Sequence, residues 1–109
     1  MFRASSRLLA CRITFFTRTP CGLCDSAKAV VQNVRAKRPF EYEEINVMDS
    51  GQETWKSLYE FDTPVIHIDK AEARDTTASA LKLMHRFKED EVMQKMDEAE
   101  QSSGNTMSG

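Results

Sequence analysis

Long hydrophobic segments, internal repeats and a dense set of cysteines are all absent from this 109-residue chain. No apolar run approaches the roughly 20 residues that a membrane-spanning helix requires, so we expect no membrane association. Three cysteines are too few and too unevenly spaced for a small secreted disulfide scaffold. The net charge of −2 lacks the basic excess that is typical of nucleic-acid binding. With 40% hydrophobic and 29% charged residues, the composition is that of a single globular domain with a modest core.

Residues 1–12 are basic and contain no acidic residue. Arg3, Arg7 and Arg12 alternate with apolar residues and serines, which is typical of a mitochondrial presequence. The segment is shorter than most presequences and has no evident cleavage site, so a basic tail before the first strand is the alternative interpretation. We therefore expect a mitochondrial location, with a cytoplasmic location as the alternative. If the segment is a cleaved presequence, Cys11 is removed with it. Otherwise Cys11 is an inert thiol or a third redox partner.

The segment Cys21–Cys24, Cys-Gly-Leu-Cys, stands between a short apolar strand pattern over 13–16 and a helical pattern over about 22–37. At the start of a helix, free backbone N–H groups and the positive end of the helix dipole stabilise a thiolate. The second cysteine lies about one turn further on, close enough to attack the first sulfur. The pair therefore suits thiol–disulfide chemistry.

Beyond the cysteines, strand and helix patterns alternate along the chain. We predict strands over 40–47, 65–68 and, weakly, 71–73, a short helix over 52–60, and a last helix from about Thr76 to about Met96. Together with the first strand and helix, this predicts an α/β fold of order β-α-β-α-β-β-α with a central four-stranded mixed sheet flanked by helices. Alternation favours parallel pairing of the first three strands and an antiparallel fourth. The predicted domain spans 13–97, followed by a disordered polar tail over 98–109.

Residues from about 13 to 90 resemble the glutaredoxins of the thioredoxin superfamily, and most closely a glutaredoxin-like branch with the motif C-x-L-C-D-x-A. Here the motif is Cys21–Ala27, CGLCDSA, and a second matching motif, Thr63–Ile66, follows about 40 residues later. The resemblance implies a thioredoxin-like fold in which the proline of the second motif follows a cis peptide bond and lies against the dithiol. It also implies that Cys21 is the nucleophile and that Cys24 resolves the mixed disulfide.

Three departures from the dithiol glutaredoxins concern the use of glutathione. Gly22-Leu23 replaces the usual Pro-Tyr between the cysteines, and Asp25 replaces a residue that is commonly basic. The Gly-Gly pair that lets glutathione approach the backbone is absent from the stretch that we align with it, 69–75. The resemblance therefore implies the fold and the dithiol chemistry more directly than glutathione as the reductant.

The candidate substrate- or glutathione-binding residues are Arg18, Thr63, Pro64, Asp75 and Thr76. Arg18 occupies the position of a lysine in glutaredoxins, where it would stabilise the thiolate or hold a glutathione carboxylate; a solvated loop arginine is the alternative. Beside the proline, the backbone of Thr63 would form strand-like hydrogen bonds with a bound peptide or glutathione. Asp75 and Thr76 would replace the polar groups that bind the γ-glutamyl end of glutathione in the family.

The sequence thus predicts a monomeric thiol–disulfide oxidoreductase that reduces protein or low-molecular-weight disulfides, including glutathione mixed disulfides. We expect no bound cofactor, with glutathione as a candidate co-substrate. One alternative keeps the fold but uses the cysteines to bridge an iron–sulfur cluster, and another makes the Thr63-Pro64 face a partner-binding module. A zinc site built from Cys21, Cys24, His67 and His85 is disfavoured, because separations of 43 and 18 residues match no usual zinc module.

Overall fold

The computed structural model describes residues 9–73 and 75–105. Its elements are β1 (Cys11–Thr17), α1 (Gly22–Lys37), β2 (Glu41–Asn46), α2 (Glu53–Tyr59), β3 (Val65–Lys70), β4 (Leu81–Met84) and α3 (Glu89–Asn105). The four strands form one mixed sheet in the order β2-β1-β3-β4, with the three helices packed on its two faces. This architecture confirms the α/β fold predicted from the sequence. No helix in the described ranges is both long enough and apolar enough to cross a membrane.

The direction of β3 differs from the prediction. β1 and β2 are parallel, as expected, but β3 runs antiparallel to β1, with Val65 opposite Phe16. The connection from β2 to β3 contains only the seven-residue helix α2, which is about 10 Å long, whereas a six-residue strand spans about 20 Å. The short helix does not carry the chain back to the far edge of the sheet, so β3 starts at the edge where β1 and β2 end.

Alternate residues of β1 point to two different core clusters, because successive side chains of a strand face opposite sides of the sheet. Ile13 and Phe15 pack with the buried sides of α1 and α3; we call this side of the sheet face A. Phe16 packs with Val65 and with the aromatic residues of α2; we call this side face B. Face A carries two long helices and face B carries one short helix.

The predicted strand over 71–73 and the predicted helix from Thr76 are both wrong. Residues 71–73 form a turn, β4 lies at Leu81–Met84, and the last helix begins at Glu89. Leu81 and Leu83 pack against face A, whereas Met84 packs against face B, which is the alternation of a strand. The apolar spacing also fits a helix, and pairing with β3 decides between the two because it satisfies the backbone of both strands.

Regular secondary structure extends beyond both ends of the predicted range 13–97. β1 begins at Cys11, so Cys11 and Arg12 belong to the sheet and not to the basic segment. At the other end α3 continues to Asn105 and Ala99 is buried in the core, so the prediction that a disordered tail starts at residue 98 is wrong. Residues 1–8 of the basic segment and the last residues (106–109) lie outside the described residues, and mitochondrial targeting stays a prediction.

Candidate functional site

The two cysteines of the Cys-Gly-Leu-Cys segment form a disulfide at the N-terminus of α1. Cys21 is the N-cap residue of this helix, and its Sγ accepts a hydrogen bond from the backbone N–H of Cys24 at 3.1 Å. Cys24 is buried at 3% exposure, whereas Cys21 is only partly buried. The first sulfur is therefore the more accessible of the two, and the helix start is built to stabilise negative charge on it.

The direction of α1 is set by its buried side. Ala27, Val31 and Val34 lie at helical spacing and pack into the cluster on face A. Because the inner side of α1 is held in this way, its N-terminus and the disulfide stay at the edge of the sheet where β1 and β2 end. The core of face A thereby positions the sulfurs.

The Thr63-Pro64 segment lies against this disulfide. Thr63 Oγ1 is 4.0 Å from Cys21 Sγ, and the Thr63-Pro64 peptide bond is cis, as the resemblance implied. A second cis bond, Thr19-Pro20, was not predicted. The carbonyl of Pro64 accepts a hydrogen bond from the backbone N–H of His85 at 2.8 Å. Over the described ranges, the backbone N–H and C=O of Thr63 have no hydrogen-bond partner.

Arg18 lines a surface cavity together with Cys21 and Asp25, but its hydrogen bond goes to another loop and not to a sulfur. Its guanidinium Nη1 donates to the backbone carbonyl of Glu60 at 3.2 Å, and its Nε is buried without a partner among the described residues. Arg18 therefore links the loop before Cys21 to the loop before Thr63. Neither interpretation of this residue from the sequence anticipated that contact, because Glu60 is 42 residues away in the chain.

Asp75 and Thr76 lie close to Trp55 of α2, and Thr76 also contacts His67 on face B. Thr76 Oγ1 is 2.7 Å from Nδ1 of His67, and the other ring nitrogen of His67 is 2.7 Å from the hydroxyl of Tyr59. Asp75 and Thr76 also line a surface cavity with Trp55. None of their contacts connects them with Cys21, so their predicted role in binding the γ-glutamyl group has no geometric support.

The segment that follows the last strand is 85–88, and not 69–75 as aligned from the sequence, because β4 lies at Leu81–Met84. His85 and Arg86 therefore occupy the place of the glycine pair. His85 has a φ of 66°, in the left-handed region that favours glycine. The absence of a glycine pair holds at the corrected position, and this position could have been found from the sequence only by placing β4 correctly.

His67 is a buried structural residue. It is fully buried on face B, both ring nitrogens have hydrogen-bond partners, and burial together with the charge of Lys82 lowers its pKa to about 4. In the described part of the chain, no group of three or more His, Cys, Asp or Glu side chains is placed to hold a metal ion.

Cys11 is the third cysteine and lies in β1 at 1% exposure. Its sulfur is 3.6 Å from the carbonyl of Met96 and 3.5 Å from Oε2 of Glu100. Burial and the nearby carboxylate of Glu100 raise the pKa of the thiol to about 12. Because the thiolate is the reactive form, Cys11 is an inert thiol in this fold.

Comparison with known proteins identifies a family model that matches this chain and solved structures with a similar fold. The family model of the glutaredoxin-like domain (DUF836) matches residues 12–97. The fold is similar to that of thioredoxin O2 from Arabidopsis thaliana in the oxidised state, with a TM-score of 0.57 at 15% identity, covering 87% of this chain and 82% of that chain. Thioredoxin 1 from Thermosipho africanus gives a TM-score of 0.59 at 17% identity, with 84% and 97% covered. Protein Ne2328 from Nitrosomonas europaea gives 0.56 at 25% identity, with 78% and 88% covered.

Proposed function

Since the chain belongs to the glutaredoxin-like domain family, we propose that it is a thiol–disulfide oxidoreductase that reduces protein disulfides or glutathione mixed disulfides through Cys21 and Cys24. The observation that carries this proposal is the disulfide at the start of α1, with the N–H of Cys24 directed at Cys21 Sγ. A structural disulfide would be expected to join distant segments, whereas this one joins two residues of a single helical turn at an accessible edge.

The first step is nucleophilic attack by Cys21. In the reduced protein its thiolate attacks one sulfur of the substrate disulfide, which forms a mixed disulfide and releases the other substrate sulfur as a thiolate that takes up a proton. The N–H of Cys24 and the positive end of α1 stabilise the attacking thiolate. Asp25, in the first turn of the helix, opposes this effect with its negative charge.

The second step is resolution by Cys24. Its thiolate attacks Cys21 Sγ, closes the Cys21–Cys24 disulfide and releases the second substrate sulfur. The two Cα atoms are 5.3 Å apart, so this bond forms without movement of the backbone. Two electrons pass from the dithiol to the substrate, and an external thiol reductant, either glutathione or a second dithiol, returns the protein to its starting state.

The loops around the dithiol would bind and orient the substrate. The free N–H and C=O of Thr63 match the hydrogen-bonding groups of an extended polypeptide, which is the geometry of strand addition. Pro64, which has no N–H, contributes its carbonyl to His85 and thereby ties this loop to the segment after β4. Arg18 acts as a positioning residue, because its bond to Glu60 holds the two loops together.

The test compares the wild type with Cys21→Ser and Cys24→Ser. We would measure turnover of 2-hydroxyethyl disulfide with glutathione and glutathione reductase, and in parallel reduction of insulin with dithiothreitol. Cys21→Ser should abolish both activities, because serine is a far weaker nucleophile toward sulfur. Cys24→Ser should strongly lower the activity on insulin, which requires a resolving thiol. Absence of catalysis by the folded wild type in both assays would refute the proposed function.

A further inference from the structure

Among the described residues, three large hydrophobic side chains are exposed: Met48 at 39%, Leu58 at 44% and Phe61 at 86%. Single exposed apolar residues are normal on a protein surface. Here all three belong to one short segment between the end of β2 and Thr63-Pro64. We call the segment 48–62 the α2 segment. None of these three side chains belongs to either core cluster, so the packing of the core does not explain their apolar character.

Both ends of the α2 segment lie at the edge of the sheet that carries the dithiol. Two residues before its start, Asn46 pairs with Thr17 in the sheet and donates from Nδ2 to Oγ1 of Thr19, which lies two residues before Cys21, at 3.0 Å. At its end, the carbonyl of Glu60 accepts the hydrogen bond from Arg18. Phe61 therefore follows directly on a residue that is tied to the loop preceding Cys21.

The backbone on both sides of Phe61 is held in place. The N–H of Asp62 donates to the carbonyl of Tyr59 at 2.8 Å, and the carboxylate of Asp62 lies 3.5 Å from Nε2 of His85. Two residues after Phe61 comes Thr63, with its hydroxyl 4.0 Å from the sulfur of Cys21. An aromatic ring displayed on an ordered backbone loses little conformational freedom on binding, which favours its use as a contact residue.

The charges of the α2 segment indicate which kind of substrate it suits. The segment has four acidic residues against one lysine, Lys56: Asp49, Glu53, Glu60 and Asp62. Glutathione carries two carboxylates and one ammonium group at neutral pH, so it gains nothing from an acidic surface with an apolar centre. A polypeptide with an apolar side chain gains from contact with Phe61 and also has backbone groups for Thr63.

We propose that Phe61, supported by Leu58 three residues earlier, is a docking contact for protein substrates and takes an apolar side chain next to the substrate's disulfide-bonded cysteine. This inference rests on the function proposed above and specifies its substrate class as disulfides within polypeptides. Phe61 acts in binding and takes no part in the sulfur chemistry.

The experiment uses single-turnover kinetics of the reduced full chain with three probes. Two are short peptides whose cysteine carries a thionitrobenzoate mixed disulfide and is flanked by leucine in one and by glycine in the other. The third is the mixed disulfide of 2-mercaptoethanol with thionitrobenzoate. Attack by Cys21 releases the coloured thiolate, so the second-order rate constant is read directly from the absorbance.

The wild type should react about tenfold faster with the leucine peptide than with the glycine peptide, a ratio typical of one good apolar contact. Phe61→Ala should lower the rate with the leucine peptide about tenfold and leave the other two probes unchanged. Phe61→Leu, the matched control, should keep most of the preference because it keeps an apolar side chain at that position. Leu58→Ala should have a smaller effect in the same direction.

Two outcomes would overturn the docking role. Equal rates for the two peptides in the wild type would show that the leucine side chain makes no apolar contact with the protein. An equal fall in rate for all three probes in Phe61→Ala would show damage to the dithiol loops. Size-exclusion chromatography provides a further check: a dimer that Phe61→Ala dissociates, with unchanged peptide rates, would assign the surface to a second copy of the chain. Failure of the proposed function is seen separately, as a wild type no faster than Cys21→Ser with any probe.

Discussion

The two faces of the sheet are covered by different kinds of helix and by different kinds of side chain. Face A is closed by two long helices whose inner sides are mostly aliphatic, and it holds the helix that carries the dithiol. Face B is closed by one seven-residue helix, and besides Val47 and Val65 its buried side chains are aromatic or polar. Phe16 lies at the centre of face B, with ring centroids 4.7 Å from Trp55, 5.3 Å from Tyr59 and 4.7 Å from His67.

This difference gives the two faces different roles: face A supports the helix that carries the dithiol, and the segment that closes face B exposes side chains at the surface. Shape-filling aliphatic packing on face A gives α1 one fixed position, which the geometry of two sulfurs requires. Face B depends instead on the hydrogen bonds that join His67 to Tyr59 and Thr76, because a short helix covers less apolar area. The α2 segment, which closes face B, is also the segment that exposes Phe61. Changes on face A should therefore affect mainly stability, and changes in the α2 segment mainly recognition.

The largest expected effect comes from removing a ring from face A. Phe15 is fully buried, so Phe15→Ala leaves a cavity and should lower the free energy of unfolding by about 3–5 kcal/mol. Urea denaturation of both proteins measures the difference. The matched control is Phe61→Ala, the same chemical change at 86% exposure, which should alter stability by less than about 0.5 kcal/mol. Similar losses for the two variants would contradict the assignment of Phe15 to the core and of Phe61 to the surface.

A smaller effect is expected from acidification, and it acts on face B. Burial holds the pKa of His67 at about 4, below its ordinary value of 6.5, so the folded protein keeps the neutral ring that the unfolded chain protonates first. Above pH 6.5 the ring is neutral in both states and the free energy of unfolding is not reduced. It falls as the pH falls from 6.5 to 4, because the unfolded chain takes up a proton that folded His67 does not. At up to about 1.4 kcal/mol per pH unit for one proton, this difference in pKa corresponds to a loss of about 3 kcal/mol by pH 4.

Urea denaturation at several pH values tests this expectation, and His67→Gln is the control because glutamine forms hydrogen bonds without titrating. The difference in stability between wild type and variant should shrink as the pH falls through the window. A difference that is constant with pH would mean that His67 is protonated equally easily in the folded and unfolded states.

The parts of the fold that sequence reasoning predicted correctly rest on local signals. Cys21 and Cys24 at a helix start, and Thr63-Pro64 before a strand, follow from the order of residues within short segments and from a recognisable motif. The four-stranded α/β fold follows from the alternation of strand and helix patterns. Each of these could be read without knowing which residues meet across the fold.

The errors concern contacts between residues far apart in the chain. The spacing of Leu81 and Met84 fits a helix, and only the pairing of this segment with β3 makes it a strand. The same misplacement aligned 69–75 with the segment after the last strand, although His85 follows that strand; the binding role of Asp75 and Thr76 stays a prediction. Arg18 has its partner, the carbonyl of Glu60, on another loop. Side-chain periodicity contains no information about these long-range partners, which decide between two structures of similar local propensity.

The smallest expected effect has the opposite sign and again concerns face B. Thr14 is fully buried, lies opposite His67 in the sheet, and its hydroxyl has no hydrogen-bond partner among the described residues. Thr14→Val keeps the branched shape and removes the unpaired hydroxyl, so it should raise the free energy of unfolding by about 1 kcal/mol. Thr14→Ser, the control, keeps the hydroxyl and loses a methyl group, so it should lower stability by about 1 kcal/mol. If Thr14→Val destabilised the protein in urea denaturation, the hydroxyl of Thr14 would have a hydrogen-bond partner in solution. Face B would then hold no unpaired hydroxyl at this position, and its difference from face A would be smaller.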